Sequence, residues 1–283
     1  MNKVRIALYQ AQSGIEPAAN AARLVAAVHE ATAGRAVMLF TPEMSGMLDR
    51  DRERALRKAR GEGEDEVLAA VRGAARDAGI WVHLGSLALK GHSGKLVNRG
   101  FVINGAGEIV ARYDKVHLFD VDLPTGESWR ESAMYQPGRE AVVADRTPVG
   151  RLGLTICYDL RFPALFERLS EAGAGVIALP AAFTVPTGEA HWEVLLRARA
   201  IEAGVFLVAA AQAGRHEDGR ETYGHSLVVD PWGRVVAELG GEPGLVFADI
   251  DLEMIGEVRA RIPVMEHRRA IGAARIDSKG SAP

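Results

Sequence analysis

One cysteine in 283 residues leaves nothing for an intrachain disulfide to join. The fold must therefore stand on its core, and the chain has no need of an oxidising compartment. Long apolar runs are missing as well. No segment approaches the uninterrupted length that spans a bilayer. The N-terminus, MNKVRIALYQAQ, enters an alternating strand without the apolar run of a signal peptide. Charge of one sign is also scarce. A net charge of −3, with basic residues spread along the chain, gives no electrostatic case for nucleic acid or an anionic membrane. The mixed-sign stretch Asp49–Arg60 reads as a solvated helix face. The eight histidines lack HxxH or HExxH spacing, so no metal ligation is expected. There is no GxSxG elbow, and a glycine pair at Gly173 and Gly175 precedes its strand where a dinucleotide loop would follow one. These exclusions point to a cytoplasmic globular protein without cofactor or metal.

Short apolar runs alternate with segments of helical period, the signature of an α/β protein. Strands are expected at Val4–Tyr9, Ala36–Phe40, Ile80–Leu89, Val149–Ile156, Gly175–Leu179 and Val205–Ala210. Helices are expected at Ala18–Thr32, Pro163–Glu171, Glu189–Glu202 and Leu252–Ala260. Two hairpins share one form, FVI-NGAG-EIVA over Phe101–Ala111 and LVV-DPWG-RVVA over Leu227–Ala237. The runs AVMLFTPE and GVIALPAA echo each other too, so the chain reads as two related halves of one layered structure. No Pro-, Gly- or Ser-rich linker divides it. The residues after about Ile262 carry Arg268, Arg269, Arg275 and Lys279 and few apolar side chains, which predicts an extended, mobile tail in the absence of a partner.

In open α/β sheets, reactive groups gather beyond the carboxyl ends of strands. Glu43 follows AVMLFTP, Lys115 follows the strand of IVARYDKVHLF, and Cys157 follows RLGLTI. Taken singly these are a loop acid, a surface lysine and a small core residue; together they are a chemistry. A carboxylate can take a thiol proton, hand it to departing ammonia and then activate water against the thioester. A fixed ammonium with backbone N–H groups can hold the oxyanion. Amide hydrolysis then needs no metal.

The segments TPEMS, YDKVHLFD, LTICYDLRFP, TGEAHWEVLLRARAIE and YGHSLVVDPWG resemble the nitrilase superfamily of carbon–nitrogen hydrolases, in order from about Val4 to Pro263. The resemblance implies a four-layer α-β-β-α sandwich over residues 1–265 with a tail at 266–283. It also implies a homodimer or higher homo-oligomer with that tail at the interface, and a Glu–Lys–Cys triad on Glu43, Lys115 and Cys157. A second glutamate supporting the lysine falls on Glu131 in preference to Glu127. Cys157 is followed by Tyr-Asp where nitrilases carry Trp-Glu, which favours amides over nitriles. The substrate implied is a small carboxylate-bearing amide. Within the amidases the later segments look most like the branch acting on deaminated glutathione. The alternatives left open are an ω-amidase acting on α-ketoglutaramate, an N-carbamoyl amino acid hydrolase and a noncatalytic binding protein of the same fold. Tyr158 is expected to offer its backbone N–H to the oxyanion. Arg161 either clamps a substrate carboxylate or pairs with Glu167, and Phe183 and Thr184 line the pocket or pack a loop. His117, His191 and His225 are expected in structural hydrogen bonds, and Trp192 in the core.

Overall fold

A computed structural model describes residues 3–91, 94–122, 126 and 128–276. The first half runs β1 (Lys3–Gln10), α1 (Pro17–Ala33), β2 (Met38–Phe40), α2 (Arg52–Lys58), α3 (Glu66–Ala78), β3 (Trp81–Lys90), β4 (Leu96–Ile103) and β5 (Ile109–Asp114). A small ribbon, β6 (Asp120–Asp122) with β7 (Ser128–Arg130), leads to β8 (Val142–Thr147) and β9 (Gly150–Leu154). Then come α4 (Pro163–Glu171), β10 (Val176–Ala178), α5 (Val185–Ala203), β11 (Phe206–Ala209) and the ribbon of β12 (Ala213–Arg215) with β13 (Glu221–Tyr223). The chain closes with β14 (Leu227–Val229), β15 (Val235–Glu238), β16 (Gly244–Asp251), α6 (Glu253–Arg261) and α7 (Val264–His267).

Two six-stranded sheets result, ordered β16-β1-β2-β3-β4-β5 and β15-β14-β11-β10-β9-β8. Read from one edge, both follow the same sense: one antiparallel pair, two parallel pairs, then two antiparallel pairs. The two related halves expected from the sequence are thus two sheets of one topology. Their hairpin turns match at atomic detail. Asn104 Oδ1 accepts from the N–H of Ala106 and Glu108, and Asp230 Oδ1 accepts from Trp232 and Arg234. Gly107 and Gly233 close these turns at φ 76° and 84°, a conformation that costs a residue without Cβ nothing.

Period-2 alternation sorts the side chains. Ile6 and Leu8 of β1 and Met38 and Phe40 of β2 point to the second sheet, where they meet Leu152, Leu154 and Val176. Ala7 and Leu39 point the other way, onto Leu24 and Val28 of α1 and Val71 of α3. The buried faces of α4 and α5, with Phe166, Trp192 and Leu196, cover the second sheet. The layers are therefore α-β-β-α. Trp192 is buried as expected, and its indole N–H donates to the His225 carbonyl at 2.7 Å. The predicted helix at Glu189 starts earlier, at Val185, because Pro186 suits a first turn.

The tail departs from expectation. The segment after Ile262 folds into α7 and docks on α4: Ser170 Oγ lies 3.2 Å from Met265 Sδ, and Arg268 reaches Glu167 and Glu171 at 3.3 Å each. Two acids on one helix face supply the partner that the basic tail needed. Residues 270–276 are exposed and irregular, and Lys279 and Glu127 lie outside the described residues. Among the described residues no helix is long and apolar enough to cross a membrane.

Candidate active site

Strand ends of both sheets carry the reactive groups. Past β2 the chain turns at Thr41-Pro42 and presents Glu43, followed by Met44 at φ 56°. Past β9 it presents Cys157, itself at φ 49°. A left-handed conformation in a residue with a Cβ costs on the order of 1–3 kcal/mol and persists only where its surroundings enforce it. Here the Cys157 N–H donates to the Pro180 carbonyl at 2.9 Å, and the N–H of Ile156 donates to Asp159 at 2.8 Å. Lys115 emerges from β5, its own N–H held by the Asn98 carbonyl at 2.9 Å.

The side chains converge. Lys115 Nζ lies 2.9 Å from Glu43 Oε1 and 2.9 Å from Glu131 Oε2, and all three groups are nearly sealed from solvent. The Cys157 thiol borders the same cavity as Glu43, Lys115 and Ala182, the groups that act on its ionisation. Asn98 Nδ2 bridges both acids, at 2.9 Å to Glu43 and 3.3 Å to Glu131. Glu131 also accepts from the Phe119 N–H at 2.6 Å, so the acid is fixed from three sides.

Two carboxylates against one ammonium set the electrostatics. Burial alone would push Lys115 down, but Glu131 and Glu43 outweigh it and hold the ammonium well above the ordinary lysine value. Burial first, then Glu43, push the Cys157 thiol well up, against the opposing pull of Lys115 and the Ala182 N–H. Both influences favour the protonated thiol, and Glu43 is the carboxylate that acts on it.

All eight residues singled out in the sequence, namely Glu43, Lys115, Glu131, Cys157, Tyr158, Arg161, Phe183 and Thr184, border one cavity of about 530 Å³. Arg161 does not pair with Glu167, which Arg268 occupies. Its guanidinium lies 6.0 Å from the Tyr158 ring and 5.7 Å from that of Phe183, with His191 Nδ1 at 3.3 Å. Thr184 heads α5 and borders the cavity while bonding Thr187. The expectation of a solvated face at Asp49 fails, since that side chain is fully buried and grips Arg54 through two bonds of 2.6 and 2.8 Å.

Sequence reasoning missed Asn98 and Asp159. A polar residue amid LVNRGFVI was the available signal for Asn98: strand positions sealed on both sides hold such a group only for a partner. Asp159 is wholly buried and accepts from Ile156 N–H, Tyr113 Oη, His117 N–H and His117 Nδ1. His117 is thereby in the structural bond expected of it.

The profile of one protein family, described as carbon–nitrogen hydrolase, matches residues 5–260. A deaminated glutathione amidase of Rattus norvegicus is 43% identical over 246 residues, 86% of this chain and 75% of that protein. One of Yersinia enterocolitica is 38% identical over 276 residues, 96% of each. Among solved structures, the C. elegans NitFhit protein superposes with a TM-score of 0.88 at 39% identity, over 94% of this chain and 65% of that longer one.

Proposed function

The chain belongs to the carbon–nitrogen hydrolase family, and from that premise we propose that it hydrolyses the amide of deaminated glutathione through a thioester on Cys157. The observation that carries the mechanism is the convergence on one cavity of the Cys157 thiol and the buried Glu43 carboxylate with the Lys115 ammonium 2.9 Å from it. As the sulfur attacks the amide carbon, Glu43 takes its proton, because neither burial nor the adjacent carboxylates favour a free thiolate. Lys115 and the Tyr158 N–H hold the oxyanion; one such donor is typically worth about 2.7–4 kcal/mol in the barrier. Glu43 returns the proton to the departing nitrogen. It then deprotonates a water that cleaves the thioester and restores the thiol.

In deaminated glutathione the scissile bond joins a 2-oxo acid to cysteinylglycine, so the leaving group is that dipeptide's amine; ammonia leaves only from a primary amide such as α-ketoglutaramate. Arg161, four residues beyond the nucleophile and without a carboxylate partner among the described residues, is suited to the acid's carboxylate. A catalytic thiol also suits a reducing, cytoplasmic setting. Assembly into a homodimer is supported by Val194 and Ile201 on one face of α5, exposed at 69% and 51%, beside exposed Trp232. Deaminated glutathione should yield cysteinylglycine with wild-type protein and none with Cys157→Ala, and acid-quenched wild type should carry the acyl mass. Turnover by Cys157→Ala would overturn the mechanism; tight binding without turnover by wild type would leave a noncatalytic binding protein.

A further inference from the structure

The cavity carries more positive charge than the reaction centre uses. Of its arginines, Arg130 donates through Nη2 to both oxygens of Asp122 at 2.8 and 2.9 Å, and Arg220 is matched by Asp218 at 2.7 Å. Arg50, Arg52 and Arg161 have no carboxylate partner among the described residues, against one unmatched acid on the lining, Glu221. Arg50 and Arg52 are both exposed, but Arg50, like Arg161, lies over an aromatic ring. The Arg50 guanidinium lies 5.9 Å from the Trp129 ring. From Trp129 the next ring is Phe119 at 6.4 Å, then Tyr158 at 5.1 Å, and Arg161 stands 6.0 Å beyond. Two unmatched guanidiniums thus end a row of three aromatic rings on the cavity that Cys157 borders.

Trp129 is built for its place. Arg220 sits 5.1 Å from its ring, and its indole N–H is buried without a hydrogen-bond partner among the described residues. The buried Asp218 carboxylate binds both Arg220 Nε and the Arg50 backbone N–H at 2.8 Å. The backbone of Arg50 is therefore pinned to the β12–β13 ribbon, while its guanidinium has no carboxylate partner among the described residues.

We propose that Arg50 on Trp129 is a second carboxylate subsite, which binds the terminal carboxylate of the leaving group while Arg161 takes that of the acyl half. This rests on the function proposed above and deepens it: the site selects amides with a carboxylate on each side of the scissile bond. Arg161 lies close in the chain to Cys157, as the short acyl half requires, and the longer dipeptide half reaches along the rings to Arg50.

The test compares deaminated glutathione with α-ketoglutaramate, which lacks the second carboxylate. Arg50→Gln should cut the kcat/KM ratio of the two substrates by roughly 10- to 100-fold, mainly through KM, as expected for one lost charged hydrogen bond. Wild-type protein should show the same loss on deaminated glutathione esterified at its glycine, which tests the subsite without any substitution. An unchanged ratio in both experiments, with wild type active, overturns the subsite alone. Wild type inactive on both substrates overturns the parent reading and the subsite with it.

Discussion

The Tyr113 hydroxyl donates to Asp159 at 2.7 Å, tying the strand that delivers Lys115 to the turn that delivers Cys157. The same carboxylate accepts from His117 on the far side of Lys115 and from Ile156 just before the cysteine. Asp159 therefore fixes the distance between ammonium and sulfur and helps hold Cys157 in its left-handed conformation. Asp159→Asn keeps the shape but turns an N–H₂ group toward buried donors. Each unsatisfied donor costs about 1–3 kcal/mol, so thermal melting should fall by several degrees. The positioning role adds a fall in kcat with KM little changed, and Asp159→Glu should recover neither. A variant with a lowered melting temperature and full kcat would reduce Asp159 to a structural acid.

Glu131 touches Lys115 at 2.9 Å, as Glu43 does. Glu131→Gln can keep only one of the bonds from Phe119 and Asn98, which fall on different carboxylate oxygens, and it removes one of two charges holding the ammonium up. Burial then weighs more heavily on Lys115, so its pKa falls. The alkaline limb of kcat/KM should move to lower pH, and kcat should drop by roughly tenfold for each 1.4 kcal/mol of lost stabilisation. A pH profile superposable on that of wild type would show that Glu131 does not govern the lysine.

Much of this arrangement was legible in the chain because strand ends are marked locally. Thr41-Pro42 stops β2, and an apolar run stops at Cys157, so both sites of exposure are written in adjacent residues. The hairpins were legible for the same reason, Asn104 and Asp230 each satisfying the backbone of their own turn. Asp159 was not, because its partners Tyr113 and His117 lie in the other half and come near only when the sheets stack. The docked tail was hidden likewise: nothing near Arg268 announces Glu167 and Glu171. Arg50 read as one charge in a mixed run, and only the ring of Trp129 beneath it sets it apart.

The buried thiol makes a prediction about stability. In the unfolded chain Cys157 ionises near the ordinary value of about 8.5; in the folded protein burial and Glu43 hold it well above this. Between the two values the unfolded state has lost a proton that the folded state keeps, so stability falls as pH rises. Lys115, also raised, acts in the same direction at still higher pH. Melting temperatures of wild type and Cys157→Ala, measured from pH 7.5 to 10, should show wild type losing more. Parallel curves would mean that the folded thiol ionises at its ordinary value.

Gly85 stands where β3 breaks register with β4, beneath both reactive turns. Its N–H donates to Thr41 Oγ1 at 3.0 Å, and a Cβ there would lie 2.1 Å from the Thr41 carbonyl oxygen, 2.4 Å from that of Pro42 and 2.6 Å from Pro180 Cβ. None of these is the end of a flexible side chain. Gly85→Ala must move the turn before Glu43, the strand end at Pro180 that anchors the Cys157 N–H, or both. Overpacking of this kind costs about 1–3 kcal/mol. A displacement of ~1 Å in a reacting group can cost on the order of 100-fold in rate, so activity should fall further than stability alone would dictate. Gly61, with open space around its Cβ position, supplies the control: Gly61→Ala should leave both melting temperature and kcat within error of wild type. Normal turnover in folded Gly85→Ala would mean that the two turns tolerate independent movement and that their close approach does not set the geometry of attack.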